Sequence, residues 1–204
     1  MSVAALAWTW DESVPDEDRF VVTHGVEWST YCALREMLDG PGLRMTYLNG
    51  VLEIMSPSRR HEGYKTRIAR LVELYAVERD VDLSGYGSTT FRKSLVDRGL
   101  EPDECYVVNR DLTDEGYPDI AIEVVLKSGG INKLEVYRGL GVREVWIWQR
   151  QRFHIFHLIN EIYEPRERSA FMPELDFAVL ARYVEQPNQH AALKAFRDEL
   201  RAVR

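Results

Sequence analysis

Hydrophobic residues recur every three to four positions in several stretches of the chain, and this spacing predicts amphipathic helices. The clearest case begins after Ser56-Pro57-Ser58 and runs to about Arg79. Its apolar stripe consists of Tyr64, Ile68, Leu71, Val72 and Tyr75. The predicted helices cover residues 26–38, 58–79, 131–141 and from about 188 to the C-terminal end.

Short runs of alternating or β-branched residues predict the strands. Asn49-Gly50 separates two alternating runs, and this dipeptide is a strong signal for a hairpin turn. On the return strand, Val51, Glu53 and Met55 share one face. The other predicted strands are Gly87–Lys93, Asp103–Asn109, Asp119–Val125, residues 143–149 and an edge hairpin over residues 153–158 and 161–163.

The order of these elements predicts an α/β fold of the mixed-sheet, α+β kind. Its core is a helix, three strands, a helix and a strand, with an added N-terminal helix and hairpin and a C-terminal hairpin and helix. Because the strand over 119–125 is followed by a helix and a second apolar strand, we expect those two strands to be parallel. We predict one domain over residues 1–204, with a loop-like acidic extension at 1–20 and a C-terminal extension at 165–204.

The charge balance excludes one class of nucleic-acid-binding protein. The 204 residues include 26 Lys and Arg against 33 Asp and Glu, which leaves a formal charge of −7. Since phosphates are neutralised mainly by Lys and Arg, a uniformly cationic coat is excluded. A localised basic site inside an acidic protein remains compatible with this balance.

The number of cysteines and the distribution of apolar residues indicate the cellular compartment in which we expect the protein. Cys32 and Cys105 are too few for a disulfide framework or a four-thiolate zinc site, which favours a reduced, cytoplasmic protein. No apolar run approaches the roughly 20 residues of a membrane span, so we expect no membrane partner. Residues 1–19 lack a basic start and turn acidic at once, unlike a signal peptide.

Two acidic residues are predicted to lie side by side in the sheet. If the hairpin is centred on its loop, so that Asn109 opposes Tyr117, antiparallel pairing places Asp103 directly opposite Glu123. Directly opposed residues have Cβ atoms roughly 4.5–5.5 Å apart. Two carboxylates that close repel each other unless a cation or a proton compensates, and a divalent cation is the simplest compensation.

Other interpretations of these acids stay open at this point. A solvated Glu at a strand edge is the structural alternative, and a register shift of one residue would separate the pair. Asp119 shares the face of Glu123 but lies roughly 13 Å along the strand. We expect Asp119 to cap the strand entry after Pro118 or to act in an outer shell of the site.

The order of several motifs resembles a known family. Pro102-Asp103, a hairpin and Glu123 two residues before Val125 resemble the PD-(D/E)XK nuclease pattern. The succession LNGVLEIMSPS, RRHEG, EPDECY, PDIAIEV and KLEVYRGLGVREVW resembles, more specifically, the bacterial Uma-two family of restriction-endonuclease-like proteins. The resemblance covers roughly residues 45–160 and implies a restriction-endonuclease-like core of αβββαβ order, the order predicted above.

The resemblance also implies catalytic roles for three residues. Asp103 is the first metal-binding Asp of the pattern, and Glu123 is the acid of its Glu-x-Lys. The lysine position itself holds Val125, and the resemblance implies that Lys133 on the following helix substitutes for it. Lys127 is the competing lysine. The expected cofactor is Mg²⁺ or Mn²⁺.

Further residues match family positions around this centre. For Glu53 and His61 the resemblance implies an outer role in binding metal or water, and a helix-start histidine with a surface hydrogen bond is the alternative for His61. Asn132 stands where many relatives carry Asp, which would reduce activity if that Asp contributes to the metal charge. The basic start of the second helix supplies the expected contacts with DNA phosphates, which are Arg59, Arg60, Lys65 and Arg67.

The function expected from these features is Mg²⁺-dependent hydrolysis of DNA phosphodiesters by a homodimer. Cutting both strands of a duplex usually needs two sites, which favours a symmetric dimer. Two alternatives remain. One is a weakly active or inactive nuclease-like module that binds nucleic acid, and the other is a metal-dependent hydrolase of a smaller phosphoester.

Overall fold

The computed structural model describes residues 16–38, 42–94, 97–113, 116–127 and 129–202. The helices are α1 (Trp28–Met37), α2 (Arg59–Arg79), α3 (Lys133–Leu140), α4 (Phe177–Val184) and α5 (Gln189–Ala202). The strands are β1 (Arg19–His24), β2 (Arg44–Leu48), β3 (Val51–Ser56), β4 (Leu83–Gly85), β5 (Phe91–Lys93), β6 (Arg98–Leu100), β7 (Glu104–Val108), β8 (Ile120–Val124), β9 (Glu144–Gln149), β10 (Arg152–Ile159) and β11 (Ile162–Arg166).

The strands form two sheets, and together with the helices they make the predicted mixed α+β fold. The first sheet has the order β1-β3-β2-β6-β5, and its strand pairs are antiparallel. The second sheet has the order β11-β10-β9-β8-β7-β4. Its strands β8 and β9 are parallel, as the helix between them requires, and the pairs around them are antiparallel.

Helices cover both faces of the second sheet. The alternation along β8 makes one face of it entirely apolar, which predicts that Ile120, Ile122 and Val124 pack on the core. In the structure these three side chains pack with the apolar stripe of α2. The opposite face of β8 packs against α3, where Ala121 lies in one cluster with Val136. Glu123 therefore points to the α3 face, because side chains alternate along a strand.

The hairpin predicted at Asn49-Gly50 is confirmed. β2 and β3 pair from Leu48↔Val51 onwards, and Asn49 and Gly50 have φ angles of 47° and 85°. Positive φ at both central residues is the geometry whose twist matches the flanking strands. The edge hairpin of β10 and β11 and the terminal helix α5 are also present where predicted.

The prediction of a strand over Gly87–Lys93 is wrong. The strand that pairs with β7 is β4, which lies earlier in the chain, whereas only Phe91–Lys93 is extended and it pairs with β6 in the first sheet. A turn causes the difference: Gly87 has φ 58°, which directs the chain out of the second sheet. The αβββαβ order persists as α2, β4, β7, β8, α3 and β9, with β5 and β6 inserted.

Both ends of the chain contain elements that the sequence pattern does not single out. The predicted loop at 1–20 is too long, since β1 begins at Arg19 and pairs with β3; residues 1–15 lie outside the described residues. In the C-terminal extension, α4 packs Phe177 edge-on against Trp146, with 4.9 Å between ring centroids. Within the described ranges, no helix is long and apolar enough to cross a membrane.

Candidate active site

The register of β7 against β8 brings Asp103 and Glu123 together. The strands pair Glu104 with Ile122 and Cys105 with Ala121, and one further step of the same register sets Asp103 beside Glu123. This is the register that the sequence predicts. Both acids are buried, with 2% and 1% of their surfaces exposed.

Each of the two carboxylates has its own hydrogen-bond donors. Lys133 Nζ donates to Glu123 Oε2 at 2.6 Å, and the Tyr137 hydroxyl donates to Glu123 Oε1. The backbone N–H of Val124 donates to Asp103 Oδ2 at 2.7 Å, and His61 Nε2 lies 2.9 Å from Asp103 Oδ1. Lys133 and His61 therefore supply the positive charge that offsets the repulsion between the two acids.

The first turns of α3 deliver two of these donors. Asn132 caps the helix by accepting a hydrogen bond from the Leu134 N–H at 3.1 Å, and Lys133 is the first helical residue. Tyr137 follows four positions later, so the two side chains lie on the same face of the helix. Asn and Asp cap helices about equally well, so the capping role does not depend on which of them stands at 132.

The electrostatics of the three central groups are coupled. Burial raises the pKa of Glu123, and the neighbouring Asp103 charge raises it further, against the lowering effect of Lys133. Burial alone would also raise the pKa of Asp103, but the hydrogen bond and charge of His61 outweigh it, so that this pKa is lowered. For Lys133, burial disfavours the charged form, yet the charges of Glu123 and Asp103 raise its pKa. Lys133 and Asp103 are thus held in their charged forms.

His61 links Asp103 to a second buried acid, Asp18. The His61 Nδ1 atom lies 3.1 Å from Asp18 Oδ2, and the histidine side chain is fully buried. Burial disfavours the imidazolium, but hydrogen bonds and charges from Asp103 and Asp18 raise the pKa of His61 to about 9. Of the two interpretations of His61, the helix-start histidine with a surface hydrogen bond is therefore wrong, since His61 lies buried between two carboxylates.

Asp18 is a site residue that sequence reasoning missed. It comes from the segment before β1, accepts a hydrogen bond from the Ser58 N–H at 2.9 Å, and thereby joins Ser58 at the start of α2. Burial raises its pKa, but the hydrogen bond from His61 and the Ser58 N–H lower it overall. No motif surrounds Asp18 in the acidic N-terminal segment, so the sequence contains no signal that singles it out.

Glu53 reaches the same region from the first sheet. Its Oε2 accepts hydrogen bonds from the N–H groups of Gly130 at 2.5 Å and Ile131 at 3.3 Å, just before α3. The loop approaches so closely that a Cβ on Gly129 would lie 2.2 Å from that carboxylate oxygen. Glu53 therefore holds the loop that carries Lys133, and the metal- or water-binding role implied by the resemblance stays a prediction.

Asp119 lies at the other end of β8 from Glu123. It accepts hydrogen bonds from the Val108 N–H at 2.9 Å and from Arg110 Nη2 at 3.1 Å, and it is paired with Arg143. These contacts place Asp119 at the strand entry, one of the two positions expected for it. The described contacts do not join it to the acids of the site.

The four basic residues expected to contact phosphates differ in availability. Arg59 and Arg60 are exposed, with the Arg60 guanidinium 5.6 Å from the Tyr64 ring centroid. Lys65 lies 3.5 Å from Glu62, and Arg67 donates to the Val184 carbonyl at the end of α4. Arg59 and Arg60 are therefore the more accessible pair.

A cavity of about 220 Å³ opens beside the acids. Its polar lining includes Glu53, Glu123, Lys127, Asn132, Lys133 and Gln149. Its apolar lining includes Phe20, Met55, Ile131, Leu134 and Ile147. Both lysines proposed from the sequence thus face one cavity, but only Lys133 contacts Glu123.

The carboxylates of Asp103 and Glu123 are the groups of this site that could bind a hard divalent cation. Asp103 and Glu123 provide carboxylate oxygens, and Mg²⁺ usually takes one or two carboxylates while water and phosphate oxygens complete its shell. Within the part of the chain that the structure describes, no group of three or more His, Cys, Asp and Glu side chains is placed to hold a metal ion. The residues present therefore fit a two-carboxylate magnesium site and do not fit an all-protein metal cage.

Comparison with known proteins agrees with the fold. A search of curated proteins gives no match. Residues 28–183, which include β2 to β11, match a family described as "Uma2: Putative restriction endonuclease". The match covers the elements that carry Glu53, His61, Asp103, Glu123 and Lys133. The chain belongs to the Uma2 family of restriction-endonuclease-like proteins.

Proposed function

We propose that this protein is an Mg²⁺-dependent endonuclease that hydrolyses phosphodiester bonds of DNA, with Asp103, Glu123 and Lys133 as its catalytic residues. The observation that carries the proposal is the contact of 2.6 Å between Lys133 and Glu123, with Asp103 beside Glu123 in the register of β7 and β8. Membership of a family described as restriction endonucleases supports a nucleic-acid substrate.

Asp103 and Glu123 would hold the Mg²⁺ or Mn²⁺ ion. Such an ion, when bound, polarises a phosphoryl oxygen and lowers the pKa of a bound water. His61 keeps Asp103 ionised and fixes its orientation through the bond of 2.9 Å between Nε2 and Oδ1. The Tyr137 hydroxyl donates to Glu123 Oε1 and fixes the orientation of that carboxylate.

Lys133 has two tasks in this proposal. Its ammonium offsets the paired acids before substrate arrives, and it lies at the wall of the cavity where a phosphate would enter. A fixed positive charge near the scissile phosphate stabilises the negative charge that develops during hydrolysis. Lys127, which is exposed on the same cavity, and Arg59 and Arg60 would bind neighbouring phosphates, contacts that position DNA without reading its sequence.

One observation favours a second candidate, a nuclease-like module that binds nucleic acid without cleaving it. All four oxygens of Asp103 and Glu123 already have hydrogen-bond donors, so the site is electrostatically satisfied by its own residues. Val125 at the usual lysine position points the same way. A homodimer, in which two such sites act on the two strands, is part of the proposal for the active enzyme.

The test is nicking of supercoiled plasmid in the presence of Mg²⁺ or Mn²⁺. Wild-type protein should nick the plasmid, and Asp103→Asn, Glu123→Gln and Lys133→Met should each lose that activity. Glu104→Gln, which alters the acid next to Asp103, is the matched control and should retain it. Equal nicking by all variants would contradict the assignment of the site, and wild-type protein that binds DNA without nicking it would favour the binding module.

A further inference from the structure

The cavity beside Glu123 is lined in large part by apolar side chains that phosphodiester hydrolysis does not use. One wall comes from the first sheet, where Phe20 of β1 and Met55 of β3 are paired across the strands and share a face. The opposite wall comes from the second sheet, where Ile147 of β9 is paired with Glu123 of β8. Gln149, two residues further along β9, lines the same wall.

The third side of the cavity is the loop before α3 and the first turn of that helix. Ile131 and Leu134 add apolar surface there, and Lys133 adds its ammonium. A phosphate gains from the ammonium but gains nothing from the aliphatic and aromatic side chains around it. The carboxylates of Glu53 and Glu123 also line the cavity, but the Gly130 N–H, Lys133 and Tyr137 already donate to them. The lining therefore suits a ligand with an apolar part that contacts these side chains and an anionic part near the lysines.

We propose that this cavity receives one unstacked nucleobase of the nucleic-acid substrate against its apolar side chains, with the phosphate of that nucleotide at Lys133. This inference rests on the proposed function. At about 220 Å³ the cavity is smaller than the roughly 300–1,000 Å³ pockets that hold drug-sized ligands, which suits a single ring system and excludes a stacked duplex.

Two side chains have the chemistry to hold such a base. Phe20 is half-buried, so its ring is accessible from the cavity, and aromatic rings bind unstacked bases of any sequence by stacking. Gln149 is also half-buried, and its amide carries both donors and an acceptor for the edge of a base. Lys127 and Lys133 lie on the same cavity, at a place suited to the backbone of that nucleotide.

The test measures binding without cleavage, by fluorescence anisotropy in the presence of EDTA. The probes are a short labelled single-stranded oligonucleotide and one of the same length in which every base is replaced by hydrogen. Wild-type protein should bind the strand with bases about tenfold or more tightly, as expected for the loss of aromatic stacking. Phe20→Ala should remove this difference, and Phe20→Trp should keep it.

Val21→Ala is the matched control, since Val21 is the next residue of β1, is 64% exposed and does not line the cavity. It should bind both probes as the wild type does. Equal affinity of wild-type protein for both probes would overturn the inference, and so would an equal loss of affinity for both in Phe20→Ala with normal thermal unfolding.

A duplex with one unpaired base separates the two sources of an unstacked base. If the protein binds this duplex as tightly as the single strand, the pocket receives a base that is extruded from a duplex. If the protein binds it only as tightly as a perfect duplex, the pocket receives bases of single strands. The outcome is independent of the nuclease assay. If the protein nicks plasmid but binds the oligonucleotides with and without bases equally, only the base-binding proposal is overturned. If it binds the strand with bases more tightly but does not nick plasmid, only the catalytic proposal is overturned.

Discussion

The ammonium of Lys133 lies 2.6 Å from Oε2 of Glu123, and the register of β7 against β8 sets the second buried acid, Asp103, beside Glu123. Two carboxylates and two basic groups therefore share one buried site, where Lys133 contacts Glu123 and His61 contacts Asp103. Removing the Lys133 ammonium leaves the buried Glu123 carboxylate with the Tyr137 hydroxyl as its donor among the described residues, while Asp103 keeps His61. This relationship makes Lys133 as important for the folded state as for any chemistry.

Lys133→Met should lower the free energy of unfolding by about 3 kcal/mol, because it leaves a buried acid without its partner. Urea denaturation measures this change. Lys127→Met is the control, and its effect should stay within about 0.5 kcal/mol since Lys127 is exposed. Adding Glu123→Gln to Lys133→Met should restore part of the stability, and equal losses in the two lysine variants would contradict the assignment.

Tyr137→Phe should lower the stability by about 1–3 kcal/mol, because Glu123 Oε1 loses its hydrogen-bond donor in a buried site. Thermal and urea unfolding measure the loss, and the same variant should nick plasmid more slowly than the wild type. Tyr117→Phe is the control, because the Tyr117 hydroxyl makes an exposed bond of 3.3 Å to the Arg92 carbonyl. A Tyr137 variant as stable and active as that control would disprove the role given to its hydroxyl.

His61 should make the stability fall as pH rises above neutrality. Its folded pKa, about 9, lies above the ordinary value of 6.5, so its contribution is fully present below pH 6.5 and is lost as pH rises through about 9. The decline should reach about 3 kcal/mol, since the two pKa values differ by about 2.5 units and one unit corresponds to about 1.4 kcal/mol. Urea unfolding in metal-free buffer measures it, and His61→Gln should lack this part of the decline. An imidazole that titrates near 6.5 by NMR would contradict the prediction.

Asp18→Asn should lower the pKa of His61 and cost about 2 kcal/mol, since it removes one of the two charges that hold the buried imidazolium. NMR titration of His61 and urea unfolding measure the two effects. Asp16→Asn is the control, because Asp16 accepts an exposed hydrogen bond from the Arg59 N–H. Identical results for the two variants would show that Asp18 has no part in the site.

Two glycines should respond to alanine with opposite signs. Gly129→Ala should lower the stability by about 1–3 kcal/mol, because its Cβ would lie 2.2 Å from a Glu53 oxygen and displace the carboxylate that binds the Gly130 N–H. Gly63→Ala should raise the stability by about 0.5–1 kcal/mol, since Gly63 lies inside α2 with open space around it. Stabilisation by both changes would show that Glu53 does not hold the loop.

The sequence alone determined the features that depend on neighbouring residues and short connections. The side-chain alternation in β8 predicts which face meets the core, and the short loop between β7 and β8 sets the register that joins Asp103 to Glu123. The spacing of apolar residues predicts α2, and the succession of a strand, a helix and an apolar strand predicts the parallel pairing of β8 with β9. These relationships are local or nearly so, and for that reason a pattern of residues is enough to specify them.

The tertiary structure decided the partners of the charged groups. Asp18 and His61 are 43 residues apart, and His61 and Asp103 are 42 apart, so no periodicity connects them. Whether a buried acid is neutralised by a histidine, a lysine or a bound cation depends on which side chains the folded chain brings within about 3 Å. The turn at Gly87, which moves residues 91–93 into the other sheet, is likewise decided by packing, since Phe91 and Leu100 are buried in one cluster between the sheets and α3.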